Sequence, residues 1–105
     1  MKLKLEQHYG TFYLKDVEDI GRVFLERRSH IYISSFEIYE QFRGKGYSYI
    51  FLKLIEEYAI NIGVNKLKLD VMVDNVIALN VYTKLGYIQI KQWANIISME
   101  KYLNI

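Results

Sequence analysis

Hydrophobic and polar residues alternate along the first third of the chain, and this period of two is typical of half-buried β-strands. Leu3 and Leu5 alternate with lysine and glutamate, whereas residues 31–39 are rich in β-branched and aromatic side chains. Both patterns favour strands. We predict four strands, over residues 2–6, 11–14, 22–27 and 31–39, with an acidic loop over residues 16–21.

The period of the hydrophobic positions becomes helical after residue 46. The apolar side chains that recur at this spacing are Tyr47, Ile50, Phe51, Leu54, Ile55 and Tyr58. Their spacing predicts a long amphipathic helix, and Gly63 is a suitable residue to end it.

The last third of the chain returns to strands around one short helix. The predicted elements are a strand over 66–73, a helix over 76–85, and two closing strands over 87–93 and 95–102. Asn75 stands at the N-cap position of the short helix, and Gly86 follows its end. The predicted order is therefore β-β-β-β-α-β-α-β-β, with a parallel crossover between residues 31 and 73.

Length and composition indicate one domain of the mixed α/β class, of the α+β type, over residues 1–105. Hydrophobic residues make up 51% of the 105 positions and charged residues 25%, which suffices for an ordinary core. The absence of cysteine excludes a disulfide, a thiolate metal site and a cysteine nucleophile. His8 and His30 lack a third ligand nearby, so no metal site is predicted. Trp93 is expected in the core.

Charge and hydropathy exclude further classes of binding partner. The formal net charge is only +2, which does not favour nucleic acid. No apolar run is long enough to span a membrane, and the acidic residue near the start is atypical of a signal peptide. We therefore expect a cytoplasmic protein that binds neither nucleic acid nor membrane. Its aromatic, apolar N-terminal strands favour a homodimer.

The most informative local motif is the run Gln41-Phe42-Arg43-Gly44-Lys45-Gly46, between a predicted strand and the long helix. Two glycines permit a tight turn that exposes main-chain amides. The first amides of the helix lack internal partners and add the positive end of the helix dipole. Arg43 and Lys45 contribute positive charge. This arrangement predicts a site for a pyrophosphate.

A second segment, Asn75-x-x-Ala78-x-x-x-Tyr82-x-Lys84-x-Gly86-Tyr87, follows at a distance of one helix and one strand. Together the two segments resemble the GNAT superfamily of N-acetyltransferases. The resemblance covers about residues 31 to 103. It implies a twisted, mostly antiparallel sheet in which one parallel strand pair splays apart, and an acetyltransferase that uses acetyl-CoA as its cosubstrate without a metal.

The resemblance also implies roles for individual residues. The residues expected to bind the cofactor are Phe36, Ile38, Gln41, Arg43, Gly44, Lys45, Gly46, Tyr47, Asn75, Tyr82 and Lys84. The amides of residues 43–47 would hold the pyrophosphate, the strand around Phe36 and Ile38 would pair with the pantetheine arm, and Asn75 would bond that arm.

Acetyl transfer to an amine requires a proton donor for the leaving thiolate and a base for the amine. Tyr82 is the expected donor, because a phenol is protonated at neutral pH. Glu37 and Asp70 are both candidates for the base, since strand register decides which of them faces the cleft. Glu40 lies close to the pyrophosphate loop and is the weaker candidate.

One departure from the family concerns the site for the amine that accepts the acetyl group. Members usually carry helices between their first two strands, whereas here Gly10 joins those strands within a few residues. Two functions therefore remain open: an N-acetyltransferase acting on a small or protein amine, and a CoA-binding or protein-interaction module without catalysis.

Overall fold

Seven strands form a single sheet in the computed structural model, which describes residues 2–104. The strands are β1 Lys4–His8, β2 Thr11–Lys15, β3 Asp19–Arg27, β4 Ile31–Ile38, β5 Lys66–Met72, β6 Ile88–Trp93 and β7 Ile96–Tyr102. The helices are α1 Tyr47–Asn61 and α2 Val76–Lys84, and a short 3₁₀ turn covers Glu40–Phe42. The sheet order is β1-β2-β3-β4-β5-β7-β6. The predicted fold class and element order are confirmed.

All neighbouring strands are antiparallel except β4 and β5. These two strands pair in parallel over only three positions, from Ile31–Leu67 to Ile33–Leu69, although both strands continue beyond them. The sheet therefore opens into a gap between the carboxyl ends of β4 and β5, as the splayed pair predicted.

Both helices pack on the same face of the sheet. Ile31 and Ile33 of β4 are buried there with Leu67 and Leu69 of β5, against Phe51 and its neighbours on α1. The opposite face, called the open face below, carries Tyr32, Ser34, Lys68, Asp70 and Ser98, which alternate with those buried residues. Within residues 2–104 no helix is long and apolar enough to cross a membrane.

A β-bulge in β4 changes the direction of its side chains. The register between β3 and β4 shifts so that Ser35 and Phe36 together oppose Val23. Ser35 has a φ of +53°, in the left-handed region. As a result Phe36 turns towards the helices, where its ring lies 5.1 Å from that of Phe51, and Glu37 turns to the open face.

Two sequence predictions are wrong. Strand β3 begins at Asp19, because Gly21 belongs to the sheet and not to a loop: a Cβ there would lie 2.4 Å from the Glu37 carbonyl oxygen, so only glycine fits. Trp93 is 45% exposed and lies outside the core, because β6 is an edge strand whose residues are all exposed.

Candidate functional site

A cleft of about 540 Å³ opens where β4 and β5 diverge, between the starts of the two helices. The predicted residues that line it are Phe36, Glu37, Ile38, Arg43, Gly44, Gly46, Tyr47, Asn75 and Tyr82. Gln41, Lys45 and Lys84 are exposed and do not line it. Most of the predicted residues are thus brought together from three separate parts of the chain.

The loop before α1 presents main-chain amides to this cleft. Gly44 and Gly46 have φ angles of +75° and +82°, which favour glycine, and Gly46 is the N-cap of α1. Within residues 2–104 the amides of Gly44, Lys45 and Gly46 have no backbone acceptor. A Cβ on either glycine would meet no atom within 4 Å, so the space above the loop is open. These features fit an anion such as a pyrophosphate.

Arg43 behaves differently from the prediction. Its amide donates to the Glu40 carbonyl at 3.2 Å as part of the 3₁₀ turn, so this amide is already used within the protein. Its side chain ties the loop to β4 instead: Nε donates to the Ile38 carbonyl at 2.8 Å, and Nη2 lies 4.0 Å from Oε2 of Glu37.

The backbone of β4 beyond the bulge faces the gap at alternate residues. The amide of Tyr39 donates to the Ile20 carbonyl on β3 at 2.9 Å. Because successive residues of a strand direct their backbone groups to opposite sides, those of Phe36 and Ile38 point to the gap that β5 has left, where the Ile38 carbonyl already accepts from Nε of Arg43. An extended ligand lying in the gap could pair with them as an added strand does.

Tyr82 lies on the α2 side of the cleft and is only 8% exposed. Its ring lies 6.5 Å from that of Phe36 and 5.7 Å from that of Tyr87. Burial raises the pKa of Tyr82 to about 12. The phenol therefore stays protonated across the ordinary pH range, as a proton donor requires.

Asn75 begins α2 as an N-cap, as predicted. Its side-chain oxygen accepts from the Ala78 amide at 3.2 Å. The cap uses the oxygen of the carboxamide and not its nitrogen, so Asn75 can both start the helix and offer a donor to a ligand in the cleft.

The two strand carboxylates lie on the open face, on either side of the gap. Glu37 accepts from Nε of Arg22 at 3.2 Å, in addition to its contact with Arg43. Asp70 accepts from the Tyr32 hydroxyl and the Ser98 hydroxyl, each at 2.5 Å, and does not line the cleft. Glu40 is exposed within the 3₁₀ turn.

Sequence reasoning missed several lining residues, among them Ser48, Ile77 and Val81. Ile77 and Val81 are four residues apart and share a face of α2, but neither stands three or four residues from Tyr82, so helical spacing from Tyr82 would not have indicated them. Arg22, which holds Glu37, carried no local signal, because the bulge decides the register that pairs them.

The sequence pattern of the acetyltransferase (GNAT) family matches residues 6–87, so this chain belongs to that family. An uncharacterized N-acetyltransferase of Bacillus subtilis, YdgE, is 38% identical over 63 residues, which are 60% of this chain and 40% of the relative. The chain thus aligns with less than half the length of this relative.

Two solved structures share the fold. The ribosomal-protein-S18-alanine N-acetyltransferase of Escherichia coli superimposes with a TM-score of 0.81 at 15% identity, over 94% of this chain and 73% of that one. The PaiA N-acetyltransferase of Thermoplasma acidophilum, solved with coenzyme A, gives 0.80 at 17% identity, over 88% of this chain and 59% of that one.

Proposed function

We propose that this protein is an acetyl-CoA-dependent N-acetyltransferase that moves an acetyl group directly from the thioester to a primary amine. One observation carries the proposal: the glycine loop before α1 and the protonated Tyr82 line the same cleft, at the point where β4 and β5 separate. Family membership and the names of the relatives, all N-acetyltransferases, support it.

The residues of the cleft suit each part of the cosubstrate. The amides of Gly44, Lys45 and Gly46 would hold the pyrophosphate, at the positive end of the α1 dipole. The β4 backbone at Phe36 and Ile38 would pair with the amides of the pantetheine arm, and the Asn75 carboxamide would add a donor. Bound acetyl-CoA supplies an activated acetyl group.

The reaction needs two proton movements. The amine nitrogen attacks the thioester carbonyl carbon, the carbon–sulfur bond breaks, and Tyr82 donates its proton to the departing sulfur. The nitrogen loses one proton, which returns to Tyr82 through the base and solvent. An amide of β4 can stabilise the negative charge that develops on the carbonyl oxygen. Glu37, on the open face beside the gap, is the proposed base, with Asp70 as the second candidate.

Replacement of Tyr82 by phenylalanine tests the catalytic role. We expect Tyr82→Phe to bind acetyl-CoA normally, because the ring stays, but to release thiol from acetyl-CoA and an amine panel roughly 10² times more slowly. Tyr87→Phe is the matched control, since Tyr87 is also buried and contacts Tyr82 but does not line the cleft. Equal rates for wild type and Tyr82→Phe would contradict the proposed role.

The second candidate is a module that binds CoA without catalysis. Two observations support this candidate. A tight turn at Tyr9-Gly10 joins β1 directly to β2. Within residues 2–104, no helix covers the open face to form one side of an amine-binding site. A thermal shift with acetyl-CoA together with no turnover of any amine would select this candidate. The cytoplasmic location and the homodimer stay predictions.

A further inference from the structure

A second cavity, of about 280 Å³, lies on the open face of the sheet. Four strands contribute polar or aromatic side chains to it: Tyr32, Lys68, Asp70, Lys91, Trp93 and Ser98. Tyr32, Asp70 and Ser98 are already joined by hydrogen bonds, so this wall of the cavity is ordered before any ligand binds.

The anionic group of the cavity lies beside the gap between β4 and β5. Asp70 directly follows Leu69, the last β5 residue paired with β4. The Tyr32 and Ser98 hydroxyls each donate to one of its carboxylate oxygens, which fixes the orientation of the carboxylate. Each oxygen keeps a lone pair for a further donor, so Asp70 can accept from an amine or ammonium group.

The other charged side chains that line the cavity are cationic: Arg28, Lys68 and Lys91. Lys68 precedes Asp70 by two residues on the same side of β5, and no carboxylate within residues 2–104 lies within 4.0 Å of its ammonium group. Lys91 lies over the Trp93 ring, 5.0 Å from its centroid. Arg28 also lines the cavity and is paired with Glu26 at 2.9 Å.

His30 also lines the cavity, and its environment reflects the positive charges around it. Burial is the main reason that the pKa of His30 is lowered, and the positive charges of Lys68, Lys66 and Arg28 lower it further. His30 is therefore neutral at neutral pH and leaves the lysines as the cationic part of the wall.

Access to the reacting atoms also favours the open face. On the helix side of the gap lies the cleft that we assign to the cosubstrate, lined there by Phe36 and Tyr82. We therefore expect the amine to approach a thioester in the gap from the other side, the open face, where Asp70 and the cavity lie.

We propose that this cavity is the acceptor site, and that the acceptor is a small primary amine that also carries a carboxylate, joined by a short apolar stem. The assignment of this ligand as acceptor rests on the proposed acetyltransferase function. The amine lies at Asp70 near the gap, the carboxylate at Lys68 and Lys91, and the stem against Trp93. A diamine of the same length is a poorer ligand, because its second ammonium would face the lysines.

Trp93 allows binding to be measured without catalysis, because it is the single tryptophan of the chain and lines the cavity. We expect its fluorescence to change saturably with 6-aminohexanoate, and cadaverine, which has the same five-methylene stem, to bind about tenfold more weakly. Lys68→Gln should weaken 6-aminohexanoate about fivefold or more, whereas the control Lys4→Gln, on the exposed strand β1, should not. Equal binding of the two ligands, or no effect of Lys68→Gln, would overturn the proposal.

Turnover separates this inference from the proposed function. Acetyl transfer that prefers 6-aminohexanoate to cadaverine in kcat/KM, and loses this preference in Lys68→Gln, supports both. Transfer to other amines that is unchanged in Lys68→Gln and Asp70→Asn overturns the cavity as acceptor site and leaves the acetyltransferase standing. Saturable binding at Trp93 without transfer to any amine overturns the acceptor role and retains the ligand class. Thermal unfolding verifies that both variants are folded.

Discussion

At the scale of single residues, two neighbouring tyrosines have different environments, and we propose a catalytic role for only one of them. Tyr82 and Tyr87 are both buried and their rings are in contact. Tyr82 lines the cleft, whereas the Tyr87 hydroxyl is buried without a hydrogen-bond partner among residues 2–104. A buried polar atom without a partner lowers stability, because it has lost water and gained nothing in return.

We therefore expect Tyr87→Phe to leave the free energy of unfolding unchanged or to raise it by up to about 1 kcal/mol. Urea denaturation of the purified protein measures this, with Tyr102→Phe as control because Tyr102 is 62% exposed. A loss of more than about 1 kcal/mol in Tyr87→Phe would mean that the hydroxyl is bonded in solution.

At the scale of elements, α1 begins at a glycine in the left-handed conformation, Gly46, which also lines the cleft. Gly46 at the start and Gly63 after the end of this helix have nearly equal φ angles, +82° and +79°, and at both a Cβ would meet open space. Only Gly46 lines the cleft. The two positions thus have the same conformational requirement and different proposed functions.

This pair gives a controlled test of the pyrophosphate loop. Gly46→Ala and Gly63→Ala should each lower the free energy of unfolding by about 1 kcal/mol, because L-residues are strained at these φ angles. Only Gly46→Ala should weaken acetyl-CoA binding, which isothermal titration measures. Equal affinity in the two variants would contradict the assignment of the loop.

At the scale of the whole molecule, we expect buried and half-buried phenols to set the alkaline limit of stability. Burial is the largest cause that raises the pKa of Tyr32 and of Tyr82, each to about 12, and it raises the pKa of Tyr39 and Tyr87 as well. In the unfolded chain these phenols titrate near 10. Between these values the folded state binds more protons than the unfolded state, so stability falls as pH rises.

We therefore expect the unfolding temperature to stay level from neutral pH to about pH 9 and to decrease steadily above about pH 10. Thermal unfolding followed by circular dichroism at constant ionic strength measures it. Ultraviolet difference spectra provide the control, because the phenols of Tyr32, Tyr39, Tyr82 and Tyr87 should ionise together with unfolding. A level unfolding temperature up to about pH 11 would contradict this account.

Much of the fold and of the site could be predicted, because the signals were local. Helical spacing located α1, the cap at Asn75 located the start of α2, and the two glycines located the loop before α1 that exposes main-chain amides. Prediction was wrong where a distant strand decides the outcome: Gly21 belongs to the sheet because it lies against the Glu37 carbonyl, and Trp93 is exposed because β6 is an edge.

By itself the sequence determined the order of elements, the loop that exposes amides and the family, since these depend on the spacing of residues along the chain. Only the tertiary structure decided that Glu37 faces the open side of the sheet, as Asp70 does, and that it pairs there with Arg22. The physical reason is that one extra residue in β4, the bulge at Ser35 and Phe36, reverses the faces of the side chains that follow, and this depends on pairing with β3.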